Sequence, residues 1–484
     1  MESRQRWIFL GVISLGLFMI GADNSILYTA LPVLRSELHT TELEGLWIIN
    51  AYSLVLAGLL LGTGTLGDKI GHRRMFEIGI TIFGLASLAA SFAHNPLALI
   101  AARAALGVGA ATMMPATLAL LRITFPNVRE RNIAIGIWGS VATLGAALGP
   151  VIGGFLIEHY YWGSVFLINI PVTLIAFTGT LLIAPPNKSN PSRHWDFLSS
   201  FWAMVTMVGL VLVIKELTHA HIELAVLIGA LAAIVIGALF FSQRQHKLSE
   251  PLLTFDVFKN RVFTAGTLAA ALAMFILSGA ELMTTQRFQL AEGFTPLQAG
   301  LLTGAVALAA FPSSILGGAL LHRIGFLPLI SGGFLSMAIG TAIAIGATRA
   351  DTFPLFVVGL LLVGFGAGLT MSVSSTAIIG SAPARRSGMA SAMEEVSYEF
   401  GTLLSVAMVG SLFSFFYARS APEVIAQNFE QGLSHPTLVD AARAAIDTSY
   451  ISVLVIIAIT ACIACAITAY LLWNNPKETQ FAHE

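Results

Sequence analysis

The sequence predicts an all-α polytopic membrane protein, and three observations carry that class. Apolar types make up 56% of the 484 residues. Asp, Glu, Lys and Arg make up only 11%, whereas a soluble domain runs near 25%. The remaining observation is arrangement: apolar runs of about 20 residues, the length that crosses a hydrocarbon core, recur along the chain. Transmembrane strands are only ~10 residues long and alternate in polarity. These runs are longer and apolar all round, so helices are expected.

Composition also removes function classes. The net charge is −1, which gives a nucleic-acid partner no support. The two cysteines, Cys462 and Cys465, rule out a disulfide scaffold. They sit mid-span, where packing is the expected role. No P-loop, zinc spacing or nucleophile elbow occurs in the chain. Neither an enzyme nor a bound metal or cofactor is expected.

Fourteen spans are read in order: 7–31, 45–66, 76–94, 97–122, 132–156, 164–184, 197–216, 222–242, 262–285, 298–321, 328–348, 354–379, 389–417 and 449–473. The opening MESRQRW is basic like the start of a signal peptide. The apolar run after it is too long, carries Asp23 and lacks a small-residue cleavage site. It is read as a retained first helix.

Lys and Arg distribution orients the spans. Eighteen lie on the side of the N-terminus, among them Arg73, Arg74, Arg129, Arg131, Arg193, Arg244, Arg385, Arg386 and Lys477. Five lie opposite: Arg35, Arg287, Arg349, Arg419 and Arg443. Both termini are therefore expected in the cytoplasm. The longest outside loop, about 418–448, is polar and expected to be partly helical.

The two halves repeat. Gly64-Thr-Leu-Gly-Asp-Lys-Ile-Gly71 matches Gly318-Ala-Leu-Leu-His-Arg-Ile-Gly325 at an offset of 254. Leu106-Gly-Val-Gly-Ala110 matches Val363-Gly-Phe-Gly-Ala367 at 257. Arg129, Gly145 and Gly154 match Arg385, Gly401 and Gly410 at 256. Both copies of the Gly-x-Leu loop face one side, so the repeat is parallel, as in two six-helix bundles related by an axis along the membrane normal. The seventh and eighth spans have no counterpart. The expected domains are a bundle over 1–184, a linker with two extra helices over 185–260, and a second bundle over 261–484.

Several motifs follow from this frame. In the loop after the second span, Gly64 and Gly71 permit a tight turn, Asp68 can cap a helix or pair with a cation, and Arg73 and Arg74 can anchor that carboxylate. The second copy carries His322 in place of Asp68, so a gate built there is expected to be asymmetric. Arg103 lies within the fourth span, where an arginine is costly unless paired. The fifth span holds Gly145, Gly149, Pro150, Gly153 and Gly154, a spacing that lets backbones approach and bends the helix.

These strings resemble the major facilitator superfamily. The Gly64–Arg74 loop is similar to its signature loop, and Arg103 to its fourth-helix arginine motif. Gly145–Gly154 resembles the motif of its exporters. Asp23–Pro32 and Tyr161–Pro171 resemble the fourteen-helix drug:proton antiporter branch, close to its quaternary-ammonium and methyl-viologen exporters. The resemblance covers essentially the whole chain. It implies the facilitator fold, two six-helix bundles plus two inserted helices, in a bacterial inner membrane.

The acids are the most informative chemistry. Of 26 Asp and Glu, five lie well inside spans: Asp23, Glu281, Glu394, Glu395 and Glu399. Glu77, Glu216 and Glu223 sit near span ends and are expected to be solvated. All 11 histidines fall in loops or at span ends, so carboxylates must do any proton work. A carboxylate in hydrocarbon can hold a proton or an organic cation but is discouraged from holding both. Glu395 and Glu399 share one helix face, Glu394 and Tyr398 the adjacent one. Asp23 and Glu281 lie 258 residues apart on equivalent first helices and are expected to face each other across a cavity. Trp47, Tyr52, Trp138 and Tyr398 are candidates for its wall, through cation–π contacts.

The expected function is proton-coupled antiport that exports lipophilic cationic drugs and biocides by alternating access. The expected partners are those cations, protons and the lipid bilayer, around a monomer. A proton symporter importing a metabolite is the alternative, and the exporter-like fifth-span motif speaks against it. A receptor or membrane enzyme is the remote one.

Overall fold

In hydrocarbon every backbone N–H and C=O must find its partner within the segment, so each apolar run closes into a helix. The computed structural model describes residues 3–190, 195–218, 222–248, 251–253, 255–381, 387–426 and 429–473. Arg193, Arg385, Arg386 and Lys477 lie outside the described residues, as do the side chains of Arg129 and Arg131.

The spans are α1 Ser3–Leu38, α2 Glu42–Ile70, α3 His72–Ser91, α4 Pro96–Thr124, α5 Val128–His159, α6 Ser164–Ile183 (interrupted at Ile168), α7 Phe197–Thr218 and α8 Leu224–Lys247. They continue as α9 Arg261–Leu290, α10 Pro296–Ile324, α11 Phe326–Arg349, α12 Phe353–Ser381, α13 Ser387–Ser420 and α14 Val439–Leu472. Among the described residues, 13 of these helices are long and apolar enough to cross a membrane, and α5 contributes the apolar stretch Leu144–His159. The fourteen expected spans therefore fall one to one on α1–α14. No strand occurs among the described residues.

Helix starts repeat along with the spans. Thr41 and Glu44 form a capping box at α2, and Thr295 and Gln298 form one at α10, 254 residues on. Both copies of the Gly-x-Leu loop end on a left-handed glycine, Gly71 at φ 99° and Gly325 at φ 86°. A side chain is strained there, which is why the repeat keeps glycine at both ends.

One element differs from expectation. The helix α14 begins at Val439, ten residues before the expected span, so the segment between α13 and α14 is shorter. Asp440, Arg443 and Asp447 read as loop residues, but the helix continues through them and Asp447 accepts a 2.7 Å bond from Arg287 at the end of α9. The segment before it holds a short helix, Phe429–Ser434.

Two compact units result. One holds residues 1–209 and 232–253, the other 210–231 and 254–484. The same packing scheme operates inside each. In the first, α1 packs on α5 and α6, α4 on α2 and α3, and α3 on α6. In the second, α9 packs on α13 and α14, α12 on α10 and α11, and α11 on α14.

The repeated glycines lie at these crossings. A Cβ on Gly145 would strike the Phe18 carbonyl, and one on Gly401 would strike that of Ala271. Gly107 abuts the Tyr52 carbonyl and Gly364 that of Val306. Gly109 meets Gly79 and Phe83, and Gly366 meets Gly333 and Met337. Gly149 lies against Ser25 and Ala22, Gly153 against Ile26, and Pro150 and Gly154 are buried beside them.

The part of the inserted pair that belongs to the first unit, within 195–209 and 232–253, is anchored there. A Cβ at Gly58 or Gly62 of α2 would meet Met204 or Ser200 of α7. Where α7 begins and α8 ends, Arg244 Nε donates to both Asp196 oxygens at 2.9 and 3.0 Å. Ser199 also bonds Asp196, and Gln245 donates to Ser199 Oγ at 2.7 Å. Gln245 Oε1 in turn accepts the Leu252 N–H at 2.8 Å. Burial pushes the Asp196 carboxyl up, but the bonds from Arg244 and Ser199 outweigh it and hold it below the usual value of 3.8.

Candidate functional site

In the first unit the intramembrane charge is compensated. Arg103 of α4 is fully buried, and Asp23 of α1 is 2% exposed. They form an ion pair. Arg103 Nε also donates to the Ile48 carbonyl of α2 at 3.0 Å, and its guanidinium stacks 4.5 Å from the centre of the Tyr52 ring. Asn169 of α6 donates to Asp23 Oδ1 at 3.4 Å and to Ser87 of α3 at 3.1 Å. One polar knot thus ties five helices of this unit together. Removing one member of such a pair strands the other charge, at about 3–5 kcal/mol.

In the second unit the acids meet hydroxyls instead. Glu394 of α13 is 8% exposed. Tyr398, one turn later, donates to Glu394 Oε1 at 3.0 Å, and Ser375 of α12 bonds the same carboxylate. Tyr398 packs on the core cluster of Val257, Phe263, Ala270, Ile378 and Ala390. Glu395 and Glu399 are half-buried on the same helix, and Glu281 of α9 is half-buried too. Among the described residues no Lys, Arg or His forms an ion pair with Glu281, Glu394 or Glu395.

Glu281 stands apart from the α13 acids. Gly401 abuts Ala271, and Gly279 abuts Ser405 and Val409, so α9 and α13 run parallel in a known register. Glu281 lies ten residues beyond Ala271 and Glu399 two before Gly401, an axial separation of about 18 Å at 1.5 Å per residue. The same register relates the halves. Phe18 on α1 corresponds to Ala271 on α9, an offset of 253. The position equivalent to Asp23 is therefore Ile276. Glu281 is on the equivalent helix but about 7.5 Å further along it.

The Gly64–Arg74 segment, expected as a loop, is helical except at Gly71, where α2 ends and α3 begins. Asp68 pairs with His72 at 3.1 Å. Arg73 does not take Asp68. It pairs with Glu77 at 2.8 Å and donates to the carbonyls of Leu181 and Ala184 at 3.1 and 3.2 Å. The segment after α6 closes over this break: Asn187 donates to the Ile70 carbonyl and accepts the Arg74 N–H. Gly64 lies half-buried opposite Pro115. Glu216 is not solvated either. It is 2% exposed, and its carboxylate caps the Glu223 N–H.

Of the aromatic candidates, Tyr52 is fully buried over Arg103, and Trp138 donates to Thr117 Oγ1 at 3.0 Å. Trp47 is half-buried. Sequence reasoning gave no role to Asn169, Ser87, Ser375, Asn187 or the Met371 and Ile48 carbonyls. Asn169 had a signal, an amide within an otherwise apolar span. The carbonyls had none, because every residue carries one.

Helices long and apolar enough to cross a membrane, packed through glycine crossings and burying carboxylates, define a polytopic membrane protein. The comparisons place it more closely. The family model of the Major Facilitator Superfamily matches residues 13–393 and 263–483. The methyl viologen resistance protein SmvA of Salmonella typhimurium is 37% identical over 413 residues, covering 85% of this chain and 83% of that protein. The multidrug efflux pump LfrA of Mycolicibacterium smegmatis is 35% identical over 412 residues, covering 85% and 81%. The inward-facing structure of a bacterial homologue of the human lysosomal transporter Spinster superposes with a TM-score of 0.66 at 15% identity, over 98% of this chain and 99% of that one. The chain belongs to the major facilitator superfamily, as a multi-pass transporter and not an enzyme.

Proposed function

We propose that this transporter is a proton-coupled antiporter that exports lipophilic organic cations across the bacterial inner membrane, with both termini cytoplasmic. One observation carries the reading: Glu394 is buried, and among the described residues it meets hydroxyls but no cation. An uncompensated carboxylate at that depth takes a proton or a cationic guest, and either one excludes the other. Glu395 and Glu281 extend the same chemistry along the second unit, and Glu399 lies one turn beyond Glu395 on α13. Asp23 is held by Arg103, so it acts through the pair: a cation or proton that reaches Asp23 frees Arg103.

The names of SmvA and LfrA support a drug-efflux substrate range. The two glycine-bearing segments, Gly64–Arg74 and Gly145–Gly154, supply the conformational parts, as a side-dependent latch and as close helix contacts. Two bundles over 1–184 and 261–484, joined by the insert, move as a monomer around the site.

Everted membrane vesicles test the proposal. Acidifying their lumen is expected to drive uptake of a fluorescent quaternary-ammonium dye, and a protonophore to stop it. Dye accumulation indifferent to the pH gradient, or proton-driven uptake into intact cells, would overturn it. Amide substitution of each acid sharpens the site: Glu394→Gln and Asp23→Asn are expected to reduce resistance to cationic biocides more than Glu395→Gln. Equal resistance in all the variants would remove the site assignment.

A further inference from the structure

Tyr398 has one hydroxyl proton, two acceptors in reach, and a further side-chain bond with Ser374 of α12. Glu394 Oε1 lies at 3.0 Å on its own helix, and the Met371 carbonyl of α12 lies at 3.3 Å. A phenol donates one hydrogen bond only, so it cannot satisfy both. Which acceptor wins depends on the state of Glu394. An ionised carboxylate only accepts, and a charged acceptor outcompetes a neutral carbonyl. A protonated carboxyl becomes a donor and can give its hydrogen to the Tyr398 oxygen.

We propose that Tyr398 is a positioning residue that converts protonation of Glu394 into a bond between helices α13 and α12. When Glu394 is ionised, the phenol donates to it and the bond to the Met371 carbonyl is released, while Ser375 of α12 still holds the carboxylate. When Glu394 takes a proton from water, its O–H donates to Tyr398, and the phenol hydrogen turns to the Met371 carbonyl. The proton stays on Glu394 and Tyr398 keeps its own; only the direction of the chain of bonds reverses. This rests on the reading of Glu394 as the proton and cation carboxylate, and it adds where that information goes.

The surroundings suit a two-state element. Met371 O also accepts from Ser374 Oγ at 3.0 Å, so the carbonyl already sits in a hydroxyl cluster. The side chains that α12 presents, Ser374 and Ser375, do not titrate in this range. On α13 the charged neighbours are Glu395 and Glu399. From the α9 side, Lys259 and Arg261 are exposed, and Glu281 is at the distance given above. On α14, Asp447 and Tyr450 are engaged with Arg287 and Thr284. A cation paired with ionised Glu394 would hold the state without the Tyr398–Met371 bond, and a proton the state with it. The two ligands then bias one element in opposite directions, which is the thermodynamic requirement for coupling.

Infrared difference spectroscopy on the reconstituted full chain, with ring-labelled tyrosine, tests this. On acidification a carboxyl band is expected to grow that Glu394→Gln abolishes. A tyrosine C–O band is expected to shift at the same pH and to vanish in Tyr398→Phe. It is also expected to stop shifting in Glu394→Gln, a control that does not require the phenylalanine variant to fold. Proton-driven exchange in Tyr398→Phe is expected to fall about tenfold, the size of one hydrogen bond, while cation binding at fixed pH stays within about threefold. A Glu394 carboxyl band that titrates while the tyrosine band stays fixed would overturn the switch and leave the carboxylate reading standing. No Glu394-dependent carboxyl band at any pH would overturn both.

Discussion

The two halves of this molecule use one packing scheme to opposite electrostatic ends. The register that carries Gly107 onto Gly364 and Tyr52 onto Val306 also carries Arg103 onto Leu360 and Ile48 onto Leu302. With Asp23 onto Ile276, the ion-paired knot of the first half becomes a hydrocarbon contact in the second. Ile276, Leu302, Val306 and Leu360 are all buried. The scaffold therefore closes without charge at this crossing. Since a buried pair seldom stabilises more than a well-packed apolar substitute, helix packing alone does not account for the Asp23–Arg103 pair, in keeping with the transport role proposed for it. The second half places its acids elsewhere, on α13 and further along α9, and among the described residues Glu281, Glu394 and Glu395 form no ion pair.

The largest test transplants one half's solution into the other. Arg103→Leu alone strands Asp23, and Asp23→Ile alone strands Arg103; each is expected to destabilise by about 3–5 kcal/mol. The double variant copies Leu360 and Ile276 and is expected to recover most of that loss. Thermal unfolding in detergent measures it. Transport by the refolded double variant is expected to be lost, read by dye efflux in vesicles. A double variant as unstable as the singles would break the comparison, because the halves would not then be interchangeable at this contact. One that is stable and transports would show the pair to be dispensable.

Much of this was legible in the sequence because hydrophobic length and glycine are local signals. The spans needed only about 20 apolar residues each, and Gly71 and Gly325 announce a backbone angle that few other residues adopt. Asp23, Arg103 and Glu394 stood out because charge is rare within spans. Their partners did not. Nothing local distinguishes the Arg103–Asp23 pairing from a pairing with a second-half acid, since the choice is made by the α1–α4 crossing. The offset of 258 between Asp23 and Glu281 looked like the repeat, yet helix register sets 253, and five residues on a helix is more than a turn. The start of α14 was missed because a helix that leaves the membrane can carry Asp440, Arg443 and Asp447 without ending.

A smaller test exchanges a polar difference at the α1–α5 and α9–α13 crossings. Gly149 lies against Ser25 and Ala22, and its counterpart Ser405 donates to the Phe275 carbonyl at 2.6 Å. Gly149→Ser has no room and is expected to cost about 1–3 kcal/mol by overpacking. Ser405→Gly loses one interhelix hydrogen bond, about 0.6 kcal/mol in a membrane. Thermal unfolding of the two variants is expected to show that order. The reverse order would mean that the two crossings are not packed alike.

The smallest effect concerns the part that has no counterpart to be compared with. The insert is held to α2 by glycine contacts and closed at one end by Asp196, Arg244, Ser199 and Gln245. Because Asp196 is held below the ordinary carboxyl value of 3.8, the folded chain binds its proton less tightly than the unfolded chain does. The stability it contributes is thus complete above that value and is lost as pH falls through the lower, folded one. Neutral conditions leave it untouched. Amide exchange at Leu252 and Leu253 reports the closure directly, since both donate to Gln245 Oε1. In the wild-type chain their protection, relative to the intrinsic exchange rate at each pH, is expected to fall only in acid. Asp196→Asn removes the charge that Arg244 clasps, so protection is expected to be lower already at neutral pH and to change little with further acidification. The glycine contacts of α7 on α2 do not titrate, so the insert is expected to remain docked in both. Acid-insensitive protection in the wild-type chain would show that the insert is closed by packing, as the duplicated helices are, and not by its charge.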